Sequence, residues 1–153
     1  MKKADNRALK TGVVFMSEQK VTGSCLCNKA RYEITGNMGV FQYCHCSRCR
    51  KITGSAHASN LFVAPADFKW LSGEDWVGRY DPADSKYFAT CFCKNCGSSL
   101  PWLSKSGRVV IIPAGTLDGD PEIKPSQNIF CGSRADWYVH ASTLPENEAM
   151  PPS

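Results

Sequence analysis

Eight of the nine cysteines in this 153-residue chain fall into three tight groups, and that spacing constrains the fold more than any other feature. The groups are Cys25-Leu26-Cys27, Cys44-His45-Cys46-Ser47-Arg48-Cys49 and Cys91-Phe92-Cys93-Lys94-Asn95-Cys96. The N-terminus opens with basic residues, but Val13-Val14-Phe15-Met16 is too short for the apolar core of a secretory signal, so the expected compartment is the cytoplasm. Thiols there stay reduced, and an odd count cannot pair completely. The cysteines therefore point to metal binding or thiol chemistry and away from a disulfide scaffold.

Cys25-x-Cys27 and Cys93-x-x-Cys96 each sit where a turn is expected, and two such turns can assemble a closed tetrahedral zinc site. Asn28, just past the first pair, is suited to the left-handed backbone that such a turn requires. A structural zinc of this kind adds about 10–16 kcal/mol of apparent binding free energy to folding. From spacing alone, Cys44-x-Cys46-x-x-Cys49 and Cys91-x-Cys93-x-x-Cys96 could each hold an ion of their own. That arrangement leaves Cys25 and Cys27 without a task, so the preferred set is Cys25, Cys27, Cys93 and Cys96. Cys44, Cys46 and Cys49 then form a three-ligand set with an open position, and Cys91 and Cys131 are read as packing residues. His45 should point away from its flanking ligands, and His57 and His140 read as structural histidines.

Three thiolates around one divalent zinc carry a net charge of −1, and Arg48, Arg50 and Lys51 beside them can offset it; the plainer reading is a solvated basic turn. An open zinc position can ionise a thiol or polarise a carbonyl. The chain has no His-Glu metalloprotease pair, no G-x-S-x-G elbow and no P-loop, so hydrolase and nucleotide readings lack support. A net charge of +4 is short of the strongly basic face of a nucleic-acid binder. No apolar run approaches the ~18 residues of a membrane span.

Turn signals recur at the spacing of short strands, and no segment keeps a sustained 3.6-residue apolar period. The pattern predicts a mainly β single domain over 20–144 with one or two short helices, between a tail over 1–19, whose residues 1–15 precede a second plausible start at Met16, and a tail over 145–153. Ala30, Tyr32 and Ile34 alternate with Arg31 and Glu33 as one half-buried strand. Further strands are expected over 38–43, 56–64 and 86–93, with a hairpin of 98–103 against 108–112. Last come strand-like pieces at 129–131 and 136–140. Phe68, Trp70 and Leu71 are expected in the core, and 47–52 as one short helical turn.

Taken together, certain stretches resemble the glutathione-dependent formaldehyde-activating enzyme family, S-(hydroxymethyl)glutathione synthase-like, which includes the centromere protein V domain. They are Gly23-Ser24-Cys25-Leu26-Cys27 with Arg31-Tyr32-Glu33, the run from Cys44 to Ser55, Phe92-Cys93-Lys94-Asn95-Cys96-Gly97-Ser98, Ala114-Gly115-Thr116-Leu117-Asp118, and Trp137. The resemblance implies a β-tent-like fold, structural zinc on Cys25, Cys27, Cys93 and Cys96, and catalytic zinc on Cys44, Cys46 and Cys49. Asn28 stands where that family usually has Gly, and Asn128 where many members have His. The expectation is a zinc-dependent carbon–sulfur lyase or synthase with two zinc sites per chain, the three-cysteine one partly empty. It would join a thiol such as glutathione to a small aldehyde such as formaldehyde, with Arg48, Arg50 and Lys51 as substrate-binding residues. The rival is a non-catalytic zinc module for a protein or nucleic acid, with both sites closed and Cys91, Cys131 or a histidine filling the fourth position beside Cys44, Cys46 and Cys49.

Overall fold

The computed structural model of the chain describes residues 20–151, so the tail expected over 1–19 lies outside the described residues. Strand β1 (Lys20–Ser24) pairs antiparallel with β2 (Arg31–Thr35), which pairs in turn with β5 (Phe68–Ser72). The alternation read from the sequence holds here: Tyr32 and Ile34 are fully buried. Glu33, on the opposite face of this central strand, is also buried, because Lys20 from β1 and Lys69 from β5 close on its carboxylate from both sides. On β5, Phe68 and Trp70 pack against the core, whereas Leu71 does not join it; a strand turns successive side chains to opposite faces, and Leu71 is left exposed.

A second sheet has the order β11-β3-β4-β10-β9. Its strands are β3 (Phe41–Cys44), β4 (Ala58–Val63), β9 (Trp102–Leu103), β10 (Val110–Pro113) and β11 (Gln127–Ile129). β11 runs parallel to β3; the other pairs are antiparallel. Phe41, Leu61, Val63, Val110 and Ile112 of this sheet meet Val21, Tyr32 and Ile34 of the first to form the main apolar core. A third sheet joins β6 (Val77–Tyr80), β7 (Thr90–Cys93) and β8 (Ser99–Leu100).

The expected hairpin of 98–103 is split at Pro101. A proline has no N–H for the ladder, so Leu100 stays paired to β7 while Trp102 crosses to pair with β10. The strand expected over 86–93 shrinks to β7 because 82–89 is a loop, pinned by the Lys105 ammonium donating to the Pro82 and Ser85 carbonyls at 2.7 Å each. The piece at 129–131 ends at Ile129, since Phe130 takes a left-handed φ of 54°, and 136–140 carries no strand. The single α-helix among the described residues, α1 (Ser47–Thr53), matches the expected helical turn and stops at Gly54, which caps it with φ 61°. Among the described residues no helix is long and apolar enough to cross a membrane.

Two predictions follow from this packing. A Cβ on Gly23 would lie 2.2 Å from the Tyr32 ring and 2.6 Å from the Thr116 carbonyl oxygen, so Gly23→Ala should cost about 1–3 kcal/mol in chemical denaturation. Hydrogen bonds from Lys20 and then Lys69 hold the Glu33 carboxyl below its usual range, so its contribution is present above the unfolded value near ~4.3 and lost as pH falls through the lowered folded value. Glu33→Gln should therefore flatten the acid limb of a Tm-against-pH curve below about pH 5, compared with the parent protein.

Candidate active site and metal-binding cysteines

Each cysteine group sits where a strand runs into a tight turn. Cys25 follows β1; its N–H bonds to the Ala30 carbonyl at 3.1 Å, and the Asn28 N–H returns to the Cys25 carbonyl at 2.8 Å. Asn28 has φ 59°, the left-handed conformation its side chain tolerates. Cys93 ends β7, and the Gly97 N–H closes its turn on the Cys93 carbonyl at 2.9 Å. The two turns are stitched together: Leu26 N–H donates to Ser98 Oγ at 3.0 Å, and the Lys29 ammonium to Asn95 Oδ1 at 3.1 Å.

This brings the sulfurs of Cys25, Cys27, Cys93 and Cys96 within 4.8 Å of one another. Cys25 and Cys27 sulfurs are 3.6 Å apart, and Cys27 and Cys93 sulfurs 3.8 Å. Four sulfurs at ~2.3 Å from a tetrahedral zinc are about 3.8 Å from each other, so the donor set fits such an ion. The surroundings already favour thiolates at two corners. The Ser98 hydroxyl, with its backbone N–H, pulls Cys96 down to about 5, and the Lys29 backbone N–H lowers Cys27, while burial pushes Cys93 up to about 11.

The second set is built by β3 and α1. Cys44 closes β3, Cys46 is the N-cap of α1 and accepts from the Cys49 N–H at 3.4 Å, and Cys49 lies buried in the first turn. Their sulfurs also lie within 4.8 Å of one another, and no fourth His, Cys, Asp or Glu among the described residues joins them. The Cys49 thiol donates to Cys44, lowering Cys44 to about 6 and holding the proton on Cys49, whose own pKa is raised. The set forms part of the wall of a cavity of about 410 Å³, which also receives Arg48, Tyr87, Phe88, Trp102, Ile129 and Phe130.

Of the three basic residues singled out in the sequence, only Arg48 reaches this cavity, and there it is paired with Asp84 at 2.8 Å. Arg50 and Lys51 lie on the last turn of α1 and do not line it. Cys91 packs, as expected, with Cys25, Ala30, Cys93 and Leu100. Cys131 does not pack: it is exposed, accepting from the Arg134 guanidinium at 3.3 Å, because the turn after Phe130 carries it outside the sheet. His45 is fully buried, its Nε2–H donating to Asn128 Oδ1 at 2.9 Å and its ring set edge-on to His57 and Tyr138. His57 stacks on Tyr43 and is held below its ordinary pKa by burial; His140 packs on Tyr138. Sequence reasoning missed Asp84, Tyr87, Phe88 and Phe130. The adjacent aromatics after the Asp81–Asp84 loop were the available signal.

A family model of the glutathione-dependent formaldehyde-activating enzyme matches residues 20–133, which hold all nine cysteines. The chain belongs to that family. An uncharacterized lyase of Schizosaccharomyces pombe is 27% identical over 122 residues, 78% of this chain and 85% of that protein. A Rhodobacter sphaeroides protein of known crystal structure superposes with a TM-score of 0.54 at 19% identity, over 70% of this chain and 98% of its own, and shares the fold. At family level the activity is that of a lyase-type enzyme in glutathione- and formaldehyde-related chemistry.

Removing the Cys49 proton donor should be visible without any substrate. With the three-cysteine set free of metal, Cys49→Ala should move the pH midpoint of Cys44 alkylation from about 6 toward the usual thiol value near ~8.5. Peptide-resolved mass spectrometry of iodoacetamide labelling reads the shift.

Proposed function

We propose that this protein is a zinc-dependent carbon–sulfur lyase or synthase that adds a glutathione-like thiol to an aldehyde, formaldehyde being the simplest, and runs the reverse reaction. The observation that carries the reading is the three-thiol set on the wall of a cavity, with no fourth ligand within reach among the described residues. It favours an open site over a closed, non-catalytic module, which needs Cys91, Cys131 or a histidine at that position. In this reading Cys25, Cys27, Cys93 and Cys96 hold a structural zinc, and Cys44, Cys46 and Cys49 the catalytic one. Zinc at the latter supplies a Lewis-acid position where a substrate sulfur ionises near neutral pH.

The remaining work falls to the chain. In the addition, the S–H bond of the thiol breaks, a C–S bond forms at the carbonyl carbon, and the proton ends on the former carbonyl oxygen. Phe88 and Ile129 pack against Cys44, Cys49 and Ala58 and shield the sulfurs from bulk water. The Cys49 N–H stabilises negative charge on Cys46. Arg48 contributes a cation at the rim, where its pairing with exposed Asp84 is weak enough to be exchanged for a substrate carboxylate. Arg50 and Lys51 offset the charge of the thiolates from farther along α1.

Two-dimensional exchange NMR on glutathione and formaldehyde measures adduct formation directly against the uncatalysed background. Zinc-loaded protein should accelerate exchange, Cys49→Ser should return it to background, and Arg48→Ala should lower it about ten-fold through the substrate term. Equal rates with and without protein would overturn the reading. For the structural site, Cys93→Ser should abolish the cooperative thermal transition, since about 10–16 kcal/mol of metal binding is coupled to folding. Cys44→Ser should retain that transition.

A further inference from the structure

The cavity beside Cys44, Cys46 and Cys49 is much larger than a one-carbon aldehyde requires, and its lining is poor in charge. Formaldehyde is little bigger than a water molecule, whose share of liquid volume is about 30 Å³. The cavity is about 410 Å³, within the range of about 300–1,000 Å³ typical of sites for whole small molecules. Glutathione carries two carboxylates and an ammonium. Among the described residues Arg48 is the one Lys, Arg, Asp or Glu side chain lining the space, and it stands at the rim beside exposed Asp84. The thiol's charged ends therefore belong at the rim, and the interior is left for something else.

That interior is mostly apolar, with aromatic rings beside the sulfurs and only the uncharged side chains of Gln42, Asn60 and three serines among them. Phe88 packs on the cysteine cluster, and its ring lies 5.6 Å from that of Trp102, forming a continuous wall. At the opening stand Tyr87 and Phe130, 60% and 62% exposed. Phe130 also holds φ 54°, a conformation that bulky residues rarely take and that costs about 1–3 kcal/mol. A large ring held in solvent by a costly backbone gains nothing from folding; it gains when a ligand covers it.

Resting on the carbon–sulfur reading above, we propose that the carbonyl partner is a neutral aldehyde with an apolar, phenyl-sized body, seated between Phe88, Trp102, Tyr87 and Phe130. The uncharged body avoids the negative field of the thiolates, and the aromatic walls take it by burial and ring packing. The thiol sulfur adds to the carbonyl carbon as before, and the proton again ends on oxygen.

Saturation-transfer NMR with 2-phenylethanol, which has the body without the carbonyl, tests the seat on zinc-loaded protein. Saturable binding is expected, weakened about ten-fold by Phe130→Asn, which keeps a residue tolerant of positive φ, and similarly by Tyr87→Ser. Tyr80→Ser, an exposed tyrosine away from the cavity, should change nothing. Glutathione should leave the signal in place, and phenylacetaldehyde should exceed formaldehyde in kcat/KM by at least about ten-fold in the exchange assay. No saturable binding, insensitivity to both cavity variants, displacement by glutathione, or a preference for formaldehyde would each overturn the proposal. Phenylethanol binding without acceleration for either aldehyde would overturn the carbon–sulfur reading and leave the apolar seat standing. Acceleration for formaldehyde without phenylethanol binding would do the reverse.

Discussion

The structure depends on the convergence of four sulfurs from two turns that lie 66 residues apart at their nearest contact, Cys27 to Cys93. Thiols attract one another weakly, and thiolates repel; sulfurs at 3.6–3.8 Å call for a cation between them or for protons retained on some of them. The environment divides the cysteines accordingly, favouring charge on Cys27 and Cys96 and protonation of Cys93. Around them Ala30, Cys91 and Leu100 pack as a second small core. The end of β1 in one sheet is thereby fastened to the end of β7 in another, and the sheets share one frame.

Fixing that frame positions the other cysteine set. β3 is paired on both sides, with β4 and with the parallel strand β11, and the His45 N–H bonds to the Ile129 carbonyl at 3.0 Å. The buried His45–Asn128 hydrogen bond closes the same corner. Cys44 and α1 are consequently held on rigid elements, while the loop carrying Tyr87 and Phe88, pinned by Lys105, forms the facing wall. One set of sulfurs is enclosed by its own two turns. The other, drawn from a single stretch of chain, has a cavity in place of a second turn.

Local features were legible. The alternation of Tyr32 and Ile34, the left-handed turn at Asn28 and the short helix ended by Gly54 each follow from a few neighbouring residues. Glu33 was read as a surface residue because a single strand does not reveal that it is central, with a lysine on each flanking strand. The hairpin expected over 98–103 runs straight through Pro101, and nothing local shows that Leu100 and Trp102 serve different sheets. Arg48, Arg50 and Lys51 look equivalent as a basic run; α1 turns by about 100° per residue, which sets Arg50 on another side from Arg48, and Lys51, near the face of Arg48, lies about one turn farther along, so of the three only Arg48 lines the cavity.

The sequence by itself determined the close cysteine groups, because cysteines separated by one or two residues are brought together by the turn that contains them, whatever the rest of the chain does. It also supported grouping Cys25 and Cys27 with Cys93 and Cys96 by elimination. Only the tertiary structure decided that the three-cysteine set has no fourth ligand within reach among the described residues, that Asp84 pairs with Arg48, and that Tyr87, Phe88, Trp102 and Phe130 line the same cavity. Those contacts join segments as far apart as Cys44 and Phe130, and no local rule of spacing or periodicity reaches across such a separation; they exist only once the sheets have packed.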